Sequence, residues 1–518
     1  MGLDQALTRR QALARAGVVA GAGLLSACGR GSGAVAGSEP ANGPTRRGGT
    51  LRVGALGKRS ATERDPHKVQ PNESDYLISC LVFEALTVPG ARPVTPRLMS
   101  RWEPSGDLRR WRFQIADGAT FHDGSPVTAD DVVWSLRRLR SLPNGEFRLP
   151  GIAAGGIRKD SPRSVAIVTD APNDEVPMAV RLQSFVFKEG ERRPGRGPGS
   201  GPFKLVSYDD GDAVLARHAG WHGGDVPLDR IEVRLFADAE ALTRAALGGQ
   251  VDLAENVGAL AARLAARDEG LRIVRRPNDT ALPVVMRVAD GPFADRRVRQ
   301  AIRLTVDRPQ LVRGALNGYG RVANDILGTA DPLYVGDDVR QRTRDLDTAR
   351  GLLRDARFDL SRSYELFTTS DAPGLVESAT LFATQMKDAG MQVHVVRQDS
   401  AAFYDTTWLK APLYMTYWGT NDSVRFFVAR TMTSKATQNE TGFKDARVDS
   451  LYRRAVADPS RDRRTQAVRD LQLRQYERGG YVVWGMADGI DIARENVRGL
   501  PQTGGYARMF IEKSGFAA

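Results

Sequence analysis

The chain has 518 residues, of which 41% are hydrophobic and 26% are charged. These proportions exclude an intrinsically disordered chain. Two cysteines, Cys28 and Cys80, are too few for a small scaffold held together by disulfide bonds. The length predicts two or three domains, and the net charge of +12 raises nucleic acid or an acidic surface as a partner.

The first 27 residues have the features of an export signal. Arg9 and Arg10 precede an apolar stretch over residues 16–25, which is shorter than the roughly 20 residues of a membrane span. Leu25-Ser26-Ala27-Cys28 resembles a lipobox, and the paired arginines resemble a twin-arginine signal. We therefore predict that this segment is removed and that a lipid on Cys28 anchors the mature protein outside the cytoplasm, on the outer or periplasmic face of the cell membrane. Residues 28–47, rich in Gly, Ala, Ser and Pro, are predicted to be a flexible tether.

Beyond the tether, strand patterns and helix patterns alternate along the chain, which favours an α/β protein. Asp209-Asp210-Gly211-Asp212 is predicted to connect a hairpin, and Thr128 is predicted to cap a helix that begins with acidic residues. Predicted strands cover residues 50–56, 111–115, 203–208, 213–217, 229–236 and 392–396. Helical patterns cover residues 74–86 with Ser74 as the cap, the segment after Thr128, and residues 239–247, 295–316, 376–389 and 446–476, the last broken at Pro459.

Six segments in order resemble the extracellular solute-binding proteins of ABC importers, in the family (family 5) that binds oligopeptides, dipeptides and nickel. The segment that begins at Phe121 is the most specific of them. The segments are Gly48-Gly49-Thr50-Leu51-Arg52-Val53, Asp65-Pro66-His67, Phe121-His122-Asp123-Gly124-Ser125-Pro126-Val127-Thr128-Ala129-Asp130-Asp131-Val132, Ser200-Gly201-Pro202-Phe203-Lys204-Leu205, Pro292-Phe293-Ala294-Asp295-Arg296-Arg297-Val298-Arg299-Gln300-Ala301 and Glu440-Thr441-Gly442-Phe443-Lys444-Asp445.

The resemblance implies a periplasmic-binding-protein fold: two lobes that close on a ligand at a hinge, with an inserted subdomain. The chain is then expected to cross between the lobes twice. Lobe I would comprise residues 48–86, 200–284 and 485–518, the inserted subdomain residues 87–199, and lobe II residues 285–484. The implied function is to bind a solute outside the cell and deliver it to the transmembrane subunits of an ABC permease, and the implied assembly is a monomer.

Residues 414–427 are the leading candidate for the ligand site, because a short apolar strand leads into a polar turn and then into aromatic residues. In peptide binders of the family, an Asp three positions after a similar Trp pairs with the ligand's amino group. Here that Trp is Trp418, next to Tyr417, and the Asp position holds Asn421, with Asp422 one residue later. An Asn does not neutralise an ammonium group. Either Asp422 takes the role after a shift in register, or the ligand has no amine there.

Three further side chains are candidates for the ligand site. Arg287 and Arg425 could bind a carboxylate or phosphate through two parallel hydrogen bonds, although each could equally be an ordinary surface charge. Tyr404 belongs to an aromatic cluster that could line the pocket or pack in the core. A peptide is the leading ligand. The alternatives are an opine-like or sugar conjugate, a metal chelate or haem.

Other functions have weaker support in the sequence. His218 and His222 have the spacing of two helical metal ligands, but glycines surround them and no Glu lies between them. We predict no metal site, no cofactor and no enzymatic activity. Basic residues are interleaved with acidic ones, and the export signal separates the protein from nucleic acid, so we predict no nucleic-acid partner. A structural surface lipoprotein that binds no solute is the remaining alternative.

Overall fold

The computed structural model describes residues 43–68, 70, 72–90, 94–143, 145–149, 151–181, 183–420 and 422–518. The predicted export signal, Cys28, most of the predicted tether and Asn421 lie outside these ranges. In the described part, no helix is both long and apolar enough to cross a membrane.

Lobe I is built on a mixed nine-stranded sheet with three helices packed on it. The central strand is β2 (Thr50–Leu56), which forms where apolar residues alternate and pairs in parallel with β11 (Arg230–Phe236) and β12 (Leu253–Ala254). The other strands are β9 (Phe203–Asp209), β10 (Asp212–Arg217), β13 (Leu271–Ala281), β15 (Gly320–Val322), β19 (Trp418–Gly419) and β21 (Gly485–Arg494). The helices are α1 (Glu73–Val82), α5 (Ala239–Leu247) and α6 (Gly258–Ala265).

The inserted subdomain is a four-stranded antiparallel sheet covered by helix α2. Thr128 caps α2 as predicted, because its side chain accepts from the backbone of Asp131 while the Asp131 carboxylate accepts from the backbone of Thr128. Its elements are β5 (Met99–Pro104), β6 (Arg110–Ile115), β7 (Ile152–Ser161), β8 (Ser164–Thr169), α2 (Ala129–Ser141), α3 (Gly145–Arg148) and α4 (Val176–Ala179). Nearby, β3 (Thr87–Val88) pairs with β4 (Thr95–Pro96).

Lobe II combines a five-stranded sheet with two groups of helices. One group packs with the sheet in a core that includes Trp484, and the other forms a separate core around Leu471. The strands are β14 (Val284–Met286), β16 (Ser363–Thr368), β17 (Gln392–Arg397), β18 (Leu413–Met415) and β20 (Tyr481–Val482). The helices are α7 (Arg296–Thr305), α8 (Arg308–Ala315), α9 (Leu346–Asp355), α10 (Leu375–Asp388), α11 (Ser400–Ala402), α12 (Val424–Thr431), α13 (Ala446–Ala457) and α14 (Arg461–Arg478). A small three-stranded sheet joins β1 (Thr45–Arg46), β22 (Val497–Arg498) and β23 (Gly515–Ala517).

Three short segments connect the two large sheets. The chain passes from lobe I to lobe II between β13 and β14 and returns between β20 and β21. In addition, β18 belongs to the lobe II sheet while β19, two residues later, pairs with the end of β13 in lobe I. Trp418 therefore lies on a strand at the junction of the lobes. We propose the residue boundaries given above for the two lobes and the subdomain. Sheet membership supports them except at β15 and β19, which lie within residues 285–484 but pair with strands of lobe I.

Two predicted helices differ from the structure. The predicted helix over 74–86 begins at Glu73 with Asn72 at the cap position, and it ends at Val82. The continuous pattern over 295–316 is two helices, because Asp307 caps a new helix that contains Pro309 near its start. Pro309 has no backbone N–H to donate, so a single helix does not continue through it. The hairpin after Phe203 and the break near Pro459 are confirmed.

Candidate ligand-binding cleft

Three exposed tyrosines mark a cleft between the lobes. Tyr404, Tyr417 and Tyr506 are 43%, 38% and 45% exposed, yet the protein around each hydroxyl raises its pKa by desolvation. Tyr404 and Tyr417 also act on each other's pKa, which places the two hydroxyls in one neighbourhood. Rings that are open to solvent but surrounded by protein are the expected walls of a binding cleft.

Residues of both lobes and the inserted subdomain meet beside these tyrosines. Tyr506 packs against Tyr76 of α1, with ring centroids 4.8 Å apart. Arg181 of the subdomain forms an ion pair with Asp422 of lobe II, and Asp422 also acts electrostatically on Tyr506. We define the central cleft as the side chains that this arrangement brings together: Tyr76, Arg181, Tyr404, Tyr417, Asp422, Arg430 and Tyr506.

Trp418 is half-buried at the edge of this cleft, and its indole nitrogen is already occupied. The Nε1 of Trp418 donates to Oε2 of Glu440 over 3.0 Å. The same buried carboxylate accepts from Trp408 Nε1 at 2.7 Å, Thr416 Oγ1 at 3.0 Å and Tyr481 OH at 2.8 Å. Burial raises the pKa of Glu440 above its usual range, against the opposing effect of these four donors. Glu440 therefore fixes the orientation of Trp418, whose ring also packs edge-to-face against Phe427 with centroids 5.7 Å apart. A contact between this ring and a ligand stays a prediction.

Arg425 and Arg287 are each engaged by carboxylates of the protein itself. Arg425 contacts Asp174 and Glu175 of the subdomain, both at 2.8 Å, and Arg464 approaches Asp174 at 3.1 Å. Arg287 pairs with Asp290 at 3.0 Å and donates to the carbonyl oxygen of Leu409 at 3.1 Å. Both guanidinium groups are thus neutralised without a ligand, and a ligand-binding role for either stays a prediction.

The polar turn that follows Trp418 is only partly described. Asn421 lies outside the described residues. Asp422 is half-buried, and its carboxylate is occupied by Arg181. A ligand amine would therefore share or displace that pairing. Beyond the turn, a cavity of about 320 Å³ between the subdomain and lobe II is lined by Trp102, Trp111, Asp174, Glu175, Asp331 and Arg425, among others.

Three histidines and the free cysteine lie in surroundings that indicate a structural role. His222 bonds to the buried Glu84 at 3.0 Å, and His218 and His222 lie in an irregular turn. Burial lowers the pKa of His67 to about 3, and its Nε2 lies 2.7 Å from the carbonyl oxygen of Phe185. Cys80 is fully buried in α1. Within the described ranges, no cluster of three or more His, Cys, Asp or Glu side chains is placed to hold a metal ion.

Sequence reasoning did not identify four members of the cleft: Tyr76, Arg181, Arg430 and Tyr506. The two tyrosines lie about 430 positions apart, so no local pattern connects them. The sequence has a weak signal at Tyr506, because this residue follows two glycines. An aromatic residue in such a loop has few sequence neighbours that could bury it, so it has to pack against a distant part of the chain.

The sequence profile of the bacterial extracellular solute-binding proteins, family 5 (middle region), matches residues 93–440. The chain belongs to this family. A probable D,D-dipeptide-binding periplasmic protein of Escherichia coli K12 is 23% identical over 292 residues, which are 50% of this chain and 54% of that protein. The match therefore spans about half the length of that relative.

Solved structures show the fold. An ABC transporter substrate-binding protein, CtaP, from Listeria monocytogenes superposes with a TM-score of 0.80 at 18% identity, over 91% of this chain and all of that one. A periplasmic binding protein from A. tumefaciens R10, solved with agropinic acid, gives 0.78 at 20% identity, over 91% and 99%. The family 5 chain thus has the periplasmic-binding-protein fold that its motifs predict.

Proposed function

We propose that this family 5 protein is the lipid-anchored, extracytoplasmic receptor of an ABC importer, which captures a peptide or peptide-like solute and delivers it to the permease. The observation that carries the proposal is the central cleft, where tyrosines of both lobes and an ion pair between the subdomain and lobe II surround one space. Lobe closure would bury a ligand against these rings. We propose a monomer, and we propose neither an enzymatic activity nor a cofactor.

A non-peptide ligand is the second candidate. Asp422, which would pair with a peptide's amino group, is already paired with Arg181. The similar A. tumefaciens protein was solved with agropinic acid, whereas the E. coli relative is named for dipeptides. An opine-like or sugar conjugate therefore competes directly with a peptide, ahead of a metal chelate or haem.

The capture function is tested by thermal unfolding of the purified full chain. A ligand that binds only the folded state raises the melting temperature with concentration. We expect di- to pentapeptides or opine-like conjugates to do so in the wild type. If no class of solute tested shifts the melting temperature, and nothing co-purifies by mass spectrometry after denaturation, the capture function is rejected.

The location of the site is tested by Tyr404→Ala. Tyr404 is 43% exposed, so its removal should leave the unliganded melting temperature nearly unchanged while weakening solute binding about tenfold. Leu260→Ala is a matched control, because Leu260 is 67% exposed on α6 of lobe I. Equal affinity in Tyr404→Ala and Leu260→Ala would move the site away from the central cleft.

The lipid anchor is tested by Cys28→Ser in the native host. The wild-type protein should fractionate with membranes and incorporate labelled fatty acid, whereas the variant should lose the label and be released. A variant that keeps both the label and membrane attachment would place the lipid elsewhere.

A further inference from the structure

Arg430 lies near the end of α12 and differs from Arg181, the other arginine of the central cleft, which is paired with Asp422. Its guanidinium stacks on the ring of Phe426, one helical turn earlier, with 4.1 Å between the guanidinium carbon and the ring centroid. The side chain is half-buried. Across the described residues, it forms no hydrogen bond and no ion pair.

The groups around Arg430 do not balance its charge. Asp422 and Tyr506 act on Arg430 electrostatically, as do two further arginines, Arg181 and Arg148. Asp422 is already paired with Arg181, and Arg148 donates to the backbone carbonyl of His67. Desolvation by burial lowers the pKa of Arg430, with the two arginines acting in the same direction. Among the charged groups that act on Arg430, two arginines therefore stand against one carboxylate, Asp422, which is already paired.

A desolvated guanidinium without a counter-ion is unfavourable, and the geometry of its N–H groups matches a carboxylate or a phosphate. The cleft is open at Tyr506, which acts electrostatically on Arg430 and is 45% exposed. Arg425 and Arg287 do not offer the same opportunity, since each is already neutralised by protein carboxylates.

We propose that the solute bound in the central cleft carries an anionic group, a carboxylate or a phosphate, and that Arg430 binds this group directly. The inference rests on the proposed capture function and adds the charge of the ligand to it. It makes Arg430 a determinant of specificity, with Phe426 holding the guanidinium plane in position. The aromatic walls would then contact the less polar part of the same solute.

The first experiment tests the anion site without knowing the natural ligand. Inorganic phosphate is titrated at constant ionic strength, and melting temperatures are compared for wild type, Arg430→Gln and Arg362→Gln. Arg362 is the matched control because it also stacks on an aromatic ring, that of Tyr364, but lies on an exposed edge of lobe II. Phosphate also stabilises folded proteins in general, and this effect is the same for all three proteins. A difference between their melting-temperature curves therefore reports phosphate binding at Arg430.

We expect wild type and Arg362→Gln to show the same saturable stabilisation, and Arg430→Gln to require roughly 10- to 100-fold more phosphate. Arg430→Lys keeps the charge but not the paired N–H groups, so it should fall between them. Superimposable curves for wild type and Arg430→Gln would overturn the inference. Because the Arg430 side chain has no polar partner among the described residues, Arg430→Gln should fold with an unchanged near-UV circular dichroism spectrum.

The second experiment separates this inference from the proposed function. Di- to pentapeptides with a free carboxyl terminus are compared with the same peptides as amides. Tighter binding of the acids, lost in Arg430→Gln, supports both proposals, whereas equal binding of acids and amides overturns the role of Arg430. If no peptide binds but the phosphate difference is present, the peptide ligand is rejected and the anion site is supported.

Discussion

Helix α12 carries two arginines, five positions apart, that have opposite surroundings. Arg425 faces the inserted subdomain and is held by Asp174 and Glu175, both at 2.8 Å. Arg430 faces the central cleft, stacks on Phe426, and has no polar partner within the described chain. The difference separates two uses of one residue type: a neutralised arginine holds parts of the protein together, whereas an unneutralised one at an open cleft is available to a ligand.

The comparison predicts that replacing Arg425 lowers the stability of the protein, whereas replacing Arg430 weakens ligand binding. The largest loss of stability is expected at Arg425. Arg425→Ala leaves two partly buried carboxylates without their main counter-charge, and burial already raises the pKa of Glu175. We expect a loss of about 3 kcal/mol in the free energy of unfolding, measured with urea. The matched change Arg430→Ala should cost less than about 1 kcal/mol.

If Arg430→Ala were the more destabilising of the two, Arg430 would be a structural residue and the comparison would fail. Acid should reduce the difference in stability between the two variants. The raised pKa of Glu175 means that this carboxylate takes up a proton first, which removes one of the unpaired charges that Arg425→Ala creates.

The aromatic side chains show the same difference between a group held by the protein and a group available to a ligand. Trp418 is held by a hydrogen bond to Glu440, whereas Tyr404 is exposed to solvent. Glu440→Gln replaces one accepting oxygen with an amide NH₂, which faces donors of the protein. We expect a loss of about 2 kcal/mol in the free energy of unfolding, together with a change in the near-UV circular dichroism of the tryptophans.

Thr416→Val is the control for Glu440, because it removes one of the four donors and leaves the carboxylate in place. Its expected cost is below about 1 kcal/mol. Should Glu440→Gln prove as mild as Thr416→Val, the carboxylate would not be what orients Trp418.

Local features of this chain could be predicted from its sequence, but partners distant in sequence could not. The strand at Thr50–Leu56 and the helix at Ala239–Leu247 have the predicted bounds, and the Thr128 cap is confirmed, because apolar spacing and capping chemistry act within a few residues. Arg425 was a reasonable candidate for ligand binding from its position after Trp418. The carboxylate that neutralises it lies 251 positions earlier in the chain, and no local pattern connects the two.

The same limit explains why Arg430 and Tyr506 were not found. The significance of Arg430 depends on the absence of a polar partner among the described residues, which is a property of the folded chain. The significance of Tyr506 depends on Tyr76, which contacts it from about 430 positions earlier in the chain. The family resemblance predicted a ligand site at residues 414–427, and the structure pairs β19 of this segment with β13 of lobe I. The resemblance did not indicate which charges in that region would be left over after folding.

Glu255 in lobe I is a buried counterpart of Arg430, since it also lacks a hydrogen-bond partner at one oxygen in the described structure but is not exposed to the cleft. It tests whether an unpaired group must also be exposed before it is available to a ligand. Glu255 is 1% exposed, one of its oxygens has no hydrogen-bond partner in the described structure, and burial raises its pKa to about 8. Asp491 and Glu73 raise that pKa further, while Arg508 and Arg276 oppose them. Sealed from the cleft, Glu255 should take up a proton instead of binding a solute.

The sign of the resulting pH dependence follows from the direction of the shift. Between the ordinary carboxyl pKa of 4.5 and about 8, the folded chain keeps a proton on Glu255 that the unfolded chain has lost. Stability from this group is therefore complete below that window and falls as pH rises through it, by at most about 1.4 kcal/mol per pH unit.

Glu255→Gln imitates the protonated form, so wild type and variant should have similar melting temperatures near the lower end of the window. The variant should become the more stable protein near pH 8, whereas exposed Glu269→Gln should follow the wild type at every pH. Parallel pH profiles for wild type and Glu255→Gln would show that Glu255 is ionised in the folded protein. A buried, unsatisfied charge would then be tolerated in lobe I, and the missing partner of Arg430 would no longer by itself indicate a ligand.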